Sequence, residues 1–163
     1  MSFGMTKNKN EYNVLPSSPE IRGWRMSGAA LATYNNKGTE MVLLGRRLKE
    51  PNYGKWVLPG GGMDIGEDGL MAAQREVLEE TGAILTNVKN LGTTTHTEGD
   101  IGKKICWVSG EITNPDEIRA GDDLGDPRLF SREELEDLQD ISEIVRPILE
   151  ISGWLSPVDA TND

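Results

Sequence analysis

From Gly61 to Ala83 the chain reads GGMDIGEDGLMAAQREVLEETGA, the stretch that most limits what it can fold into. Glu67 follows Gly61 after five residues and Arg75 follows after seven more, with Glu76, Glu79, Glu80 and Gly82 directly behind. At 3.6 residues per turn, Glu76, Glu79 and Glu80 span only about 100° of a helix surface. Carboxylates packed that closely repel one another and give a bare helix nothing. A hard divalent cation reverses the sign, because oxygen ligands are what Mg²⁺ and Mn²⁺ prefer. The spacing therefore predicts a helix from about Glu67 or Asp68 to Gly82, a good C-terminal residue, with a metal site on its polar face. Leu70, Ala73 and Val77 lie on the flank away from the carboxylates and should face a sheet.

The rest of the chain sets the frame for that helix. Its 163 residues suit one domain with a real core. A formal charge of -10 disfavours a broad grip on duplex nucleic acid or on anionic lipid. The lone cysteine, Cys106, fits a reducing compartment and, inside Ile105-Cys106-Trp107-Val108, reads as a buried structural thiol. No segment approaches the ~20 apolar residues that span a bilayer, and the N-terminus lacks the apolar core of a signal peptide. The expectation is a cytoplasmic protein with no membrane partner.

Residues 1–22 read as a loose arm, 23–156 as the folded domain and 157–163 as a frayed tail. Strands are expected at Arg25 to Tyr34 and Glu40 to Arg46, joined by the turn Asn35-Asn36-Lys37-Gly38. A short strand at Lys55 to Leu58 precedes the helix. Further strands fall at Asn90 to Thr97, Lys103 to Ile112 and Arg128 to Phe130. Ser131-Arg132-Glu133-Glu134 is a capping-box pattern opening a helix, and a last helix is expected from about Ser142 to Ile151. Strands, a central helix, strands and terminal helices together make an α+β chain.

The Gly61–Ala83 stretch resembles the Nudix box of the Nudix hydrolases, G-x5-E-x7-R-E-U-x-E-E-x-G-U, where U is a bulky aliphatic residue. Val77 satisfies the first U. Ala83 is small for the last, a role that Ile84 could take instead. Trp56-Val57-Leu58-Pro59-Gly60-Gly61 resembles the family's lead-in. A solvated acidic helix would not explain why three glycines and Glu67 sit at the required distances upstream.

The resemblance implies an α/β/α sandwich with a mixed central sheet, and hydrolysis of a nucleoside diphosphate linked to some group X. It implies Mg²⁺, or alternatively Mn²⁺, held by Glu76, Glu79, Glu80 and the Gly60 carbonyl. Glu76, Glu79 and Arg75 would carry the catalysis, Arg75 by orienting Glu79 one turn on. Glu67 would cap the helix or tie the loop. The general base stays open between Glu76, Glu79 and the later acidic stretch with Asp122 and Asp123. Arg46 and Arg47 end the second strand, where relatives place a basic phosphate contact, and guanidinium geometry suits that task. Two exposed arginines would read the same way.

Other residues weigh less. His96, the only histidine, reads as an ordinary strand residue for want of a local partner. Trp24, Trp56 and Trp107 read as core, although a ring could stack on a base. Phe130 lies where relatives place a base-contacting segment. The leading function is cleavage of a (deoxy)nucleoside triphosphate to the monophosphate and pyrophosphate. The alternatives are an ADP-ribose or nucleotide-sugar pyrophosphatase and a nucleotide-sensing module without turnover. An RNA 5′-pyrophosphohydrolase is disfavoured by the acidic charge. A homodimer is left open, since many family members dimerise.

Overall fold

The computed structural model describes residues 21–158, so the expected arm and tail lie outside it except for Ile21, Arg22, Pro157 and Val158. Strand β1 (Gly23–Asn36) turns into β2 (Thr39–Arg47) through a tight hairpin. Lys37 and Gly38 take positive φ values of 53° and 95°, and the Asn35 side chain accepts a bond from the Gly38 N–H at 2.8 Å. Two successive positive φ angles match the twist that paired strands prefer. The expected strand pair is present.

The next two strands are short: β3 (Trp56–Val57) and β4 (Gly60–Gly62). Helix α1 (Gly69–Thr81) leads into β5 (Leu85–Glu98) and β6 (Ile101–Ile112). A 3₁₀ turn at Pro115–Glu117 precedes β7 (Leu124–Ser131), and α2 (Arg132–Glu136) and α3 (Arg146–Ile151) close the chain. The capping box at Ser131 and Glu134 is formed as its sequence implies. The final helix starts at Arg146 rather than near Ser142. Ser142 is instead buried in the preceding turn, its carbonyl accepting from the Val145 and Arg146 N–H groups.

All strands join one mixed sheet in which only β1 and β6 run parallel. Register explains its shape. β1 and β2 pair between Thr33–Asn36 and Thr39–Val42, then diverge. Past the divergence β4 pairs with β1 at Ser27–Ala29, and β3 pairs with β2 at Gly45–Arg46. The sheet therefore forks, and the two short strands line the fork. Strand β4 was not expected from sequence, because three glycines carry no strand preference. Tertiary pairing with β1 imposes it.

Period-two alternation on β1 divides the core. Ala30 and Ala32 join Leu43, Val108, Ala73 and Val77 beneath α1. Ala29 and Leu31 join Trp56, Trp107, Phe130, Leu135 and Leu149 on the opposite face, under α2 and α3. This is an α+β sandwich with helices on both faces of a seven-stranded mixed sheet, as expected. Leu70 packs at the edge of the α1 layer. Ala83 is fully buried and Ile84 is exposed, so the alanine, not Ile84, fills the box's last apolar position. Two core expectations fail. Trp24 is 53% exposed because β1 runs beyond α1 there. Cys106 is only half-buried, packed against Gly69 where a Cβ would collide with it.

Candidate metal and nucleotide site

Asp68 caps the start of helix α1 with a side chain that accepts from the Met71 N–H, and Gly82 closes its end in the left-handed conformation. Asp68 is thus the cap, which leaves Glu67 free to tie the loop. Glu67 accepts from the Asp64 N–H at 2.8 Å and from Arg75 Nε at 2.7 Å. Arg75 reaches further than its spacing to Glu79 suggests. Its Nη1 donates to Glu76 at 2.9 Å and Glu79 at 3.1 Å, and its Nη2 donates to the Gly62 carbonyl at 2.8 Å. One guanidinium thereby couples the glycine turn, the loop and the helix. The bonds from Arg75, with the Asp64 N–H next, lower the Glu67 carboxyl to about 2. Glu67 in turn raises Arg75 above its ordinary value.

The three box carboxylates point to different surroundings. Glu76 and Glu80 line a cavity of about 750 Å³ together with Gly60, Gly61 and Gly62. Glu79 is 56% exposed and lies outside that wall. A Cβ at Gly61 would occupy the place of the Glu76 carboxylate, so the glycine is what allows this carboxylate to lie against the turn. Burial, joined by the charges of Asp123 and Glu76, pushes the Glu80 carboxyl above its ordinary range. The Asp123 N–H at 3.3 Å and Lys49 oppose the rise. Among the described residues no three His, Cys, Asp or Glu side chains converge tightly enough to hold an ion as they stand. Arg75 draws Glu76 and Glu79 toward itself and balances their charge. The oxygen-rich donor set and the space kept open by Gly61 nevertheless fit a hard divalent cation.

The arginine pair splits by strand alternation. Arg47 lines the cavity, with its Nε bonded to the Pro51 carbonyl at 2.6 Å. Arg46 does not reach it. Its Nη1 donates to the Gly54 carbonyl at 2.7 Å and its guanidinium sits 4.5 Å from the Trp56 ring centroid. Trp56 and Phe130 are core residues in edge contact, so neither presents a face to the cavity. Asp123 lines the cavity and pairs with Lys49 at 3.0 Å, whereas Asp122 is exposed outside it. Gly60 lies on the wall, pressed against β1 so closely that a Cβ would meet the Gly28 carbonyl at 2.5 Å. His96 does have a partner, Glu98 at 3.1 Å, two positions along the same strand face. That i, i+2 relation was legible in the sequence once the strand is assigned. Lys49, Asp64 and Lys103 were missed: Lys49 meets Asp123 from a distant loop, Asp64 reaches Arg75 across the loop that enters α1, and Lys103 meets Glu98 across the β5–β6 turn.

A family model described as NUDIX domain matches residues 12–150. An RNA pyrophosphohydrolase of Caulobacter vibrioides is 49% identical over 79 residues, 48% of this chain and 38% of that protein. An 8-oxo-(d)GTP phosphatase of Mycolicibacterium smegmatis is 29% identical over 111 residues, 68% of this chain and 33% of that protein. The chain thus spans about a third of the length of these relatives. Among solved structures, a MutT NUDIX hydrolase from Burkholderia pseudomallei superposes with a TM-score of 0.65 at 24% identity, covering 78% of this chain and 96% of that one. The NUDIX domain of Shewanella oneidensis NrtR, complexed with ADP ribose, gives 0.69 at 15% identity, covering 87% and 92%. These likenesses show the fold, and the family model spans most of the chain. The chain belongs to the NUDIX domain family.

Proposed function

We propose that the protein is a metal-dependent pyrophosphohydrolase that cleaves a (deoxy)nucleoside triphosphate to the monophosphate and pyrophosphate. The observation that carries this reading is the shared cavity wall. Glu76, Glu80, Gly60 and Arg47 meet there, so acidic metal donors and a phosphate-binding cation face one space. Glu76, Glu80 and the Gly60 carbonyl would hold Mg²⁺, with Mn²⁺ as a substitute and Glu79 contributing from the exposed margin. When bound, the cation offsets charge on the phosphate oxygens and acidifies a water.

The chain's own groups do the rest. Water adds to phosphorus, the anhydride P–O bond breaks, pyrophosphate leaves and the water's proton passes to a carboxylate. Glu76 and Asp123 face the cavity and are the candidates for that base, whereas Glu79 and Asp122 lie off the wall. Arg75 keeps Glu76 and Glu79 oriented, and Arg47 clamps a phosphate. These are positioning and electrostatic effects, which dominate phosphoryl-transfer chemistry. The lone Cys106 and the absence, among the described residues, of a helix able to cross a membrane fit a cytoplasmic setting.

The test is a panel of nucleoside triphosphates, an oxidised guanine nucleotide, ADP-ribose, a dinucleoside polyphosphate and a 5′-triphosphorylated RNA, each with Mg²⁺ and product identification. Monophosphate and pyrophosphate from a triphosphate supports the proposal. Turnover of ADP-ribose alone transfers the activity to nucleotide sugars. Binding without any turnover makes the protein a sensor.

A further inference from the structure

The cavity does not end at the carboxylates. Its wall continues along β1 past the last residue paired with β4, where that edge of β1 carries no strand. Here register brings three basic side chains into one row. Arg25 on β1 pairs with Lys103 on β6, and Lys103 pairs with His96 on β5. Paired residues share a sheet face, and neighbouring strands lie about 4.8 Å apart. All three line the cavity.

Such a row costs stability. Like charges on directly paired strand positions repel. Glu98 offsets part of it, bonding His96 at 3.1 Å and Lys103 at 3.0 Å, and these side chains are no more than a third exposed. Burial raises the Glu98 carboxyl, yet its bonds to Lys103 and His96 outweigh that and hold it below the usual range. Both Glu98 oxygens are therefore engaged. Arg25 enters no ion pair among the described residues, in a chain with 27 acidic and 17 basic side chains. Its side chain lines the cavity beside Lys103, where an anionic ligand can reach it.

We propose that Arg25, Lys103 and His96 form a second anion-binding subsite that takes a phosphate on the nucleoside side of the substrate, separate from the anhydride that is cleaved. The inference rests on the pyrophosphohydrolase reading for its orientation. Gly61 beside Glu76 pairs with Gly28, three residues from Arg25, so the two ends lie about 10 Å apart along β1 and on opposite sheet faces, and they meet in the one cavity that both line at the open edge of β1. A nucleoside bridges them, with its 5′ phosphates at the helix and a 3′ phosphate at the row. Guanidinium and ammonium groups match phosphate oxygens in charge and donor geometry. The 3′ phosphate has two sources, a monoester on a mononucleotide or the phosphodiester that continues an oligonucleotide. No bond is made or broken at this end.

The experiment compares three substrates: a nucleoside 5′-triphosphate, the same compound bearing a 3′-phosphate, and a 5′-triphosphorylated dinucleotide. The readout is the ratio of kcat/KM for each 3′-phosphorylated compound to that of the plain triphosphate. The wild type should give a ratio of about ten or more, falling toward one in Arg25→Gln and in Lys103→Gln, the scale of one charge-assisted contact. Preference for the dinucleotide alone identifies the diester as the source, and equal preference identifies the shared phosphate. A wild-type ratio near one, or a ratio unchanged in both variants, overturns the subsite. A parallel binding titration with a nucleoside 3′-monophosphate needs no turnover, so it separates the two readings. Arg25-dependent binding without hydrolysis keeps the subsite and sinks the pyrophosphohydrolase. Hydrolysis with no Arg25-dependent binding does the reverse. Melting temperatures check that folding is intact: Arg25→Gln should match or slightly exceed wild type, because Arg25 is exposed and its charge repels Lys103, whereas Lys103→Gln also loses the bond to Glu98.

Discussion

Arg75 gathers Glu67, Glu76, Glu79 and the Gly62 carbonyl onto one guanidinium, and Glu67 records the strength of that contact. Its carboxyl is lowered to about 2 in the folded state, against an ordinary value of 4.5. A depressed carboxyl stabilises the fold at pH values above its unfolded pKa. That contribution is lost as pH falls from about 4.5 toward 2. The pH dependence of denaturation midpoints should therefore be shallower in Glu67→Gln than in wild type across that window, with parallel curves above it. Glu80 behaves oppositely, since burial and its acidic neighbours already disfavour its charge. Glu80→Gln should leave the metal-free protein as stable or slightly more stable. With Mg²⁺, turnover should fall by at least ~10²-fold as a charged ligand is lost. Paired melts and rate measurements read both halves, and near-wild-type turnover would remove Glu80 from the site.

At the scale of elements, glycine decides how closely α1 and the turn can approach β1. A Cβ at Gly28 would sit 2.6 Å from the Gly69 carbonyl and 2.8 Å from the Ala73 nitrogen, both backbone atoms of α1. The helix must move to admit it, so Gly28→Ala should cost about 1–3 kcal/mol in chemical denaturation. Gly61→Ala tests a different contact, because its obstacle is the Glu76 carboxylate, a side chain that can swing away. The fold should survive with an unchanged circular dichroism spectrum. The displaced carboxylate should lower metal-supported turnover by about 10²-fold, the penalty for an ångström-scale misplacement. Equal activity would mean that the Glu76 position seen here is not the working one.

At the scale of the whole molecule, a cation that binds only the folded site stabilises all of it. Mg²⁺ at a hundred times its dissociation constant should add about 2.7 kcal/mol, read as a rise in melting temperature that EDTA reverses. The reverse result, a melting temperature indifferent to Mg²⁺, would separate the acidic helix from metal binding. What the sequence determined by itself was local or periodic. Helix α1, its glycine end, the Asn-Asn-Lys-Gly hairpin and the capping box at Ser131 follow from spacing and turn chemistry acting within a few residues. The acidic face of α1 was legible for the same reason. Tertiary structure alone decided which of those groups meet. It turned Arg46 onto Trp56 and left Arg47 on the cavity, made a strand of three glycines by pairing them with β1, and left Trp24 exposed where β1 outruns its helix. It also set Arg25, Lys103 and His96 side by side. Arg25 is distant in sequence from the β5–β6 hairpin that carries the other two, and its proximity to them comes from strand register, which is fixed by burial on both sheet faces rather than by any local run of residues.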